Sequence, residues 1–289
     1  MPNTVNFIGC GKLGTTIAKL MVDSGAAKID GICNQGYSSA KKAIAYIGQG
    51  KVCATISDLP PADITFITTP DDYVQSCAEQ LACCADLKAN SLIIHCSGLL
   101  PASILNACKQ QGCFIYSVHP MLSFSSPEIS TREYPGTYCA IEGCEQHLNT
   151  VHQLFKSIGS ITYSLNPQKK ASYHAAGVLA SNYLVTLAES AHATLNNSGI
   201  TDNNTFDVVI SLMKKTLHNL EQTRSFTQAL TGPLQRGDIE TVRQHINNLP
   251  LTEVMSLYRT LGKATLKLTG LPEQKKNELC LVLSQHEYA

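Results

Sequence analysis

Three glycines in GCGKLGTTIA, namely Gly9, Gly11 and Gly14, stand in the GxGxxG spacing. They follow the β-branched run VNFIG (5–9) directly and open a helical stretch. That context, a strand–helix–strand unit of about 30 residues, makes the spacing a dinucleotide fingerprint. Gly9 permits the tight turn, Gly11 lets the backbone approach a pyrophosphate, and Gly14 lets helix and strand pack closely. Cys10, Lys12 and Leu13 fill the positions between them, where the helix N-terminus receives negative charge. Twenty residues after Gly14, where an acidic side chain would hold the ribose hydroxyls, stands Asn34. Asn34, Ser38 and Ser39, followed by Lys41 and Lys42, remove a repelling charge and offer groups for a 2′-phosphate. NADP is therefore expected over NAD.

Ligands of an open parallel sheet sit outside the carboxyl ends of its strands. Three ends carry chemistry: Thr69-Pro70 after DITFITT, Ser97-Gly98 after SLIIHC, and His119-Pro120 after FIYSV. Proline holds the preceding residue extended, so His119 continues its strand and projects at the tip, where an imidazole can exchange a proton near neutral pH. Farther on, Lys170, His174, Gly177 and Ser181 fall within about 60° on one face of a helix predicted over 168–197. Val178, Leu179, Leu184, Val185 and Leu187 occupy much of the rest. This helix is expected to be the buried spine of a second domain, its polar stripe facing a cleft between domains. In LTGPLQRGD (230–238), Arg236 could clamp a carboxylate, across a dimer included, and Asp238 reads as an N-cap.

The elements that must position these groups change character once. Short apolar strands at 5–9, 28–34, 52–56, 63–69, 91–96, 114–118, 137–141 and 160–165 alternate with helices, which indicates a parallel sheet covered on both faces. From Gln168 onward all periodicity is helical: 168–197, about 203–229, 238–248, 252–268 and 273–285. The expected fold is α/β, a Rossmann-type domain over 1–166 followed by an all-helical substrate and dimerisation domain over 167–289. Hydrophobic residues make up 44% of the 289 and charged ones 15%, enough for a sizeable core. Lys+Arg and Asp+Glu balance at 22 each, which argues against a nucleic-acid footprint and against a polybasic membrane surface. MPNTVNFIG does not resemble a signal peptide, and no apolar run is long enough to span a bilayer. The twelve cysteines lie mostly in apolar runs (Cys10, Cys33, Cys53, Cys96, Cys139) without a CxxC pair, as expected of buried thiols in a reducing cytoplasm.

Several stretches resemble known families. HCSGLLP (95–101) resembles a strand-end motif of β-hydroxyacid dehydrogenases, which implies that Ser97 contacts a substrate carboxylate; Gly98 falls where that family has threonine. VHPMLSF (118–124) resembles the HPM segment of prephenate and arogenate dehydrogenases, which implies that His119 takes the substrate hydroxyl proton. β-Hydroxyacid dehydrogenases place a catalytic lysine four residues before an asparagine; here Lys170 stands four before His174. Ser181-Asn182 stands where prephenate dehydrogenases have a Ser-His pair. KKASYHAAGVLASNYLVTLAESA and LTGPLQRGD resemble Rossmann-like proteins with an uncharacterised C-terminal domain, the domain of unknown function 2520. Their architecture is similar to that of 6-phosphogluconate dehydrogenase and pyrroline-carboxylate reductase.

The resulting expectation is an NADP-dependent oxidoreductase acting on a small carboxylate-bearing alcohol or carbonyl between its domains. Ser97, Gly98, Ser181, Asn182 and Arg236 would bind substrate, and His119, Lys170 and His174 would move protons. No metal is required, because the cofactor carries the hard chemistry. An imine reductase and a non-catalytic NADP(H)-sensing protein are the alternatives. A cytoplasmic homodimer is expected, with no nucleic-acid or membrane partner.

Overall fold

The structure, a computed structural model, describes residues 2–83, 87–200, 204–249 and 252–284. The chain divides into two compact units, Met1–Ser181 and Asn182–Ala289. The strands of the first unit are β1 (Asn3–Ile8), β2 (Ala27–Cys33), β3 (Lys51–Cys53), β4 (Ile64–Ile67), β5 (Leu92–His95), β6 (Phe114–Pro120), β7 (Tyr138–Gly143) and β8 (Ile161–Ser164). Its helices are α1 (Lys12–Asp23), α2 (Tyr37–Ile47), α3 (Asp71–Ala82), α4 (Asn106–Gln110), α5 (Pro127–Glu133), α6 (Leu148–Ser157) and α7 (Lys170–Ala180).

All eight strands form one sheet in the order β3-β2-β1-β4-β5-β6-β7-β8. The first six run parallel, β7 is antiparallel to β6, and β8 is parallel to β7. The sheet is thus not parallel throughout, because the short path through α5 returns the chain against β6. Strand residues alternate between two cores. Phe7, Phe66 and Tyr116 face one with Ile17 and Phe155, and Phe7 and Phe66 stack at 4.9 Å. Ile8, Ile67, Ile93 and Ile115 face the other with Leu105. The strand order reverses between β1 and β4, the switch point where an open α/β sheet leaves a crevice. Cys10, Cys33, Cys53, Cys96 and Cys139 are buried.

The second unit contains α8 (Asn182–Asn196), α9 (Thr205–Thr223), α10 (Phe226–Ala229), α11 (Pro233–Arg236), α12 (Ile239–Asn248), α13 (Thr252–Leu266) and α14 (Glu273–Ser284). Val242, Ile246, Leu266, Leu279 and Leu283 make its core. The single helix expected over 168–197 is two, because Ser181 leaves helical geometry at φ −121°, ψ −68°. Serine and asparagine are weak helix formers, and they meet here. The compact units part at this break, 15 residues after the strands-to-helices change at Asn166. Nor is α8 a buried spine: none of its residues is buried, and Val185 is 70% exposed. The expected start near 203 and the end at 285 lie outside the described residues. Among the described residues no helix is long and apolar enough to cross a membrane.

Candidate dinucleotide and active site

The fingerprint loop runs from the end of β1 into α1. Gly9 has φ +79°, and a Cβ there would stand 2.4 Å from Thr69 Cγ2. At Gly14 a Cβ would lie 2.5 Å from Thr68 Oγ1, whose hydroxyl donates to the Gly9 carbonyl at 2.9 Å. Both glycines are therefore demanded by the chain itself. Gly11 is not: its φ is −82° and the nearest atom to a Cβ would be 3.9 Å away. A glycine that neither backbone nor neighbours require suits a loop that something outside the chain must approach. The N-terminus of α1 has no capping side chain and no acidic residue in its first turn, so its N–H groups remain available to an anion. Lys12 is exposed, Leu13 is half-buried, and burial pushes the Cys10 thiol up to about 12. These features fit a dinucleotide pyrophosphate.

Asn34 follows β2 and braces this loop rather than standing free. Its Oδ1 accepts from Cys10 N at 2.6 Å, and its Nδ2 donates to Cys10 O at 3.3 Å and to Ser39 Oγ at 3.2 Å. The Ser39 hydroxyl in turn donates to Gly36 O. Ser38, Lys41 and Lys42 are exposed on the first turns of α2, which begins without a cap or an acid. Lys41 lies over the Tyr37 ring, 5.3 Å from its centroid. Of the groups expected around a 2′-phosphate, Asn34 and Ser39 thus have local duties, while Ser38 and the lysines are open. Pro70 opens α3, and the buried Thr69 hydroxyl has no partner beyond the adjacent Cys77 thiol.

A second cluster forms where β5, β6 and α7 meet. His119 lies within β6, which extends through Pro120 as the His-Pro pair implies. Its Nδ1 is 3.0 Å from the Tyr173 hydroxyl, which also donates to the His119 carbonyl at 3.5 Å and accepts from Tyr163 at 3.3 Å. A neutral His119 that donates from Nδ1 to Tyr173 would keep Nε2 as an acceptor. That Nε2 and His174 Nδ1 converge: they lie 2.9 and 2.5 Å from the point where a Gly98 Cβ would stand. Gly98 is therefore the absence that admits two imidazoles, whose ring centroids are 5.8 Å apart. Burial, helped by His174 and Lys170, lowers the His119 pKa to about 4. The histidine is neutral at pH 7, and its proton exchange moves well below the neutral range expected from residue type alone.

Lys170 is 2% exposed and supports this cluster from beneath. It donates to Ser117 Oγ at 2.6 Å and to the Ser97 carbonyl at 3.3 Å, and lies 3.8 Å from Glu142 Oε1. Glu142 also accepts from Ala102 N at 2.6 Å. Burial lowers the lysine's pKa and raises the glutamate's, while their mutual attraction opposes both shifts. Lys170 thereby ties α7 to three strands and stands below the surface that a ligand could touch. The Ser97 hydroxyl is committed too: it donates to Asp71 Oδ2 at 2.8 Å and accepts from Leu99 N and Leu100 N. A carboxylate could take its proton only by displacing Asp71. Sequence reasoning missed Glu142, Ser117, Asp71 and Tyr173. Of these only Glu142, a charge inside the apolar strand YCAIEG, carries a signal that could have been read.

The remaining expected residues stand elsewhere. Gly177 is on α7, with Met121 Cε 3.8 Å from where its Cβ would be, and the exposed Ser181 follows at the helix end. Asn182 begins α8 in the second unit, where Arg236 is also found. Arg236 binds Asp238 through Nε at 2.8 Å and a terminal nitrogen at 2.7 Å. Asp238 holds the N-cap position of α12 as expected, but its carboxylate serves the arginine and makes no capping bond.

Residues 3–120 match the Rossmann-like domain, and residues 137–265 match the domain of unknown function DUF2520. No curated protein matches the chain. Among solved structures, a protein from Thermotoga maritima is 26% identical with a TM-score of 0.72, covering 91% of this chain and 97% of its own. A candidate NADP oxidoreductase from Bacteroides fragilis is 19% identical with a TM-score of 0.74, covering 92% and 98%. The pyrroline-5-carboxylate reductase of Coxiella burnetii is 12% identical with a TM-score of 0.60, covering 99% and 97%. The last two likenesses are of fold. A dinucleotide-type loop on a sheet of this order, whose last two strands and the helices after them fall in the second matched segment, makes this chain a Rossmann-like protein carrying DUF2520.

Proposed function

We propose that the protein is an NADP-dependent oxidoreductase acting on a small alcohol or carbonyl that bears a carboxylate. The observation that carries this reading is Gly11, a glycine with no intramolecular reason, beside a helix N-terminus free of caps and acids. NADP, when bound, would supply the hydride acceptor or donor. The loop from Gly9 to Gly14 would hold its pyrophosphate, and Ser38, Lys41 and Lys42 its 2′-phosphate. His119 Nε2, unprotonated at neutral pH, would accept the hydroxyl proton of an alcohol, with Tyr173 fixing the ring through Nδ1. His174 Nδ1, facing the same point, would hold the oxygen or return the proton. Lys170, Glu142 and Ser117 would hold α7 so that the two imidazoles converge.

One observation favours a second reading. An imidazole with a pKa of about 4 is a poor proton donor at pH 7. An iminium substrate already carries its proton, so imine reduction would need little from His119.

The test is NADPH consumption across a panel of keto acids and cyclic imines, with Gly11→Asp as the control. Turnover of keto acids, absent in the variant, supports the proposal, and turnover confined to imines selects the second reading. Tight NADPH binding without turnover would identify a binding protein. NADPH should bind at least several-fold tighter than NADH at one ionic strength; equal affinities overturn the assignment of Ser38, Lys41 and Lys42. Gly11→Asp should keep its melting temperature, since a Cβ there meets no atom closer than 3.9 Å.

A further inference from the structure

The imidazole of His119 has two outlets. Nε2 faces the space left by Gly98, and Nδ1 faces the Tyr173 hydroxyl at 3.0 Å. Behind Tyr173 stands a second phenol, Tyr163, whose hydroxyl is 3.3 Å from that of Tyr173. Strand register produces this alignment. His119 pairs with Ala140 and Ala140 pairs with Tyr163, so the three form one row across β6, β7 and β8, on one face of the sheet. Ala140, buried and with only a methyl, leaves a gap between the two longer side chains, and Tyr173 spans it from α7. The row runs outward: β8 is the last strand of the sheet, Tyr163 is half-buried, and the neighbouring Tyr138 is 57% exposed. All of these residues lie in the first unit. The Tyr173 contact with the His119 carbonyl, at 3.5 Å, is the longest of its three.

We propose that His119, Tyr173 and Tyr163 form a proton relay joining the hydride site to water at the sheet edge. The relay rests on the oxidoreductase reading for its purpose, though not for its existence. As an alcohol is oxidised, Nε2 takes the hydroxyl proton and Nδ1 passes its own proton to Tyr173. Tyr173 passes its proton to Tyr163, and Tyr163 gives one to water, since a phenol both donates and accepts. Each N–H or O–H bond that breaks is matched by one that forms, so the imidazole changes tautomer without gaining charge. That matters because burial holds the His119 pKa at about 4, which disfavours an imidazolium about a thousandfold at pH 7. Once product leaves, water removes the proton from Nε2 and the relay restores the one on Nδ1. Carbonyl reduction runs the transfer backwards, Tyr173 refilling Nδ1 as Nε2 gives its proton away. Tyr173 and Tyr163 are positioning residues that act through His119.

The deciding experiment needs neither cofactor nor substrate. A proton on Nδ1 is covered by Tyr173, so short of local opening it reaches water only through the relay. With isotopically labelled histidine in the wild type at pH 7, the ring nitrogen shifts should show a proton on Nδ1. Its resonance should be broadened by exchange with water. In Tyr163→Phe, which leaves Tyr173 against His119, exchange should slow and the resonance should sharpen. A Tyr163 that merely packs predicts the opposite, because losing its hydroxyl loosens Tyr173 and local opening quickens exchange. Exchange that is unchanged or faster overturns the relay. So does a ring that keeps its proton on Nε2 alone, since Nδ1 then has none to pass. Where the NADPH panel yields a substrate, Tyr163→Phe should lower kcat at unchanged KM, by part of the roughly 10²–10⁴-fold that an acid/base group contributes. Full turnover in the variant would overturn the relay and leave the oxidoreductase reading standing; slowed exchange without turnover of any substrate would do the reverse.

Discussion

His119 shows how environment outweighs residue type. In an unfolded chain an imidazole takes up a proton near pH 6.5; in the folded protein burial holds His119 back to about 4. Between those values the unfolded state binds more protons, so stability is full above about pH 6.5 and is lost as pH falls toward 4. The loss then levels off for this group, at about 2–3 kcal/mol after allowing for partial exposure. His95, fully buried and lowered to about 3, extends the decline to more acid pH. Urea unfolding of wild type and His119→Asn from pH 7.5 to 4 should show the variant losing less stability over that range. Parallel curves would mean that His119 titrates normally.

At the scale of elements, α7 is fastened to the sheet by one buried amine. Lys170 reaches the Ser97 carbonyl after β5, Ser117 in β6 and Glu142 in β7. Lys170→Met would strand the Glu142 carboxylate in the interior, a change expected to cost about 3–5 kcal/mol. Adding Glu142→Leu should recover much of the loss, because a neutral pair leaves no charge unpaired. The check is the melting temperature of both single variants and the double. Additive losses would show that the two groups do not act as a pair. Because α7 carries Tyr173 and His174, Lys170→Met should also free the His119 ring, visible as a rise in its pKa by NMR.

At the scale of the molecule, we propose that two copies associate through α8 and α9. A groove of about 500 Å³ between these helices is lined by Leu184, Val185, Ala188, Phe206, Ile210 and Leu217 among others. Val185, Phe206 and Leu212 are each more than 60% exposed, and exposed apolar faces rimmed by polar residues mark interaction surfaces. A symmetric dimer would bury one such face against its copy. Light scattering should give about twice the 31.2 kDa chain mass, falling to a monomer in Val185→Glu/Leu212→Glu. A wild-type monomer independent of concentration would overturn the assignment.

The sequence by itself determined the sheet-then-helices order, the fingerprint turn and the placement of His119 at a strand tip. Those features rest on local rules: side-chain periodicity, glycine at a positive φ, and the extended bias that Pro120 imposes on its neighbour. Tertiary structure decided what each polar group does. Asn34 reads as a 2′-phosphate ligand and holds Cys10, Ser97 reads as a substrate contact and is bound to Asp71, and Lys170 reads as a proton carrier and lies buried against Ser117 and the Ser97 carbonyl. In each case the partner stands 24 to 73 positions away in the chain. Hydrogen bonds over such separations exist only once the sheet has brought its strand ends together, and no short-range pattern encodes them.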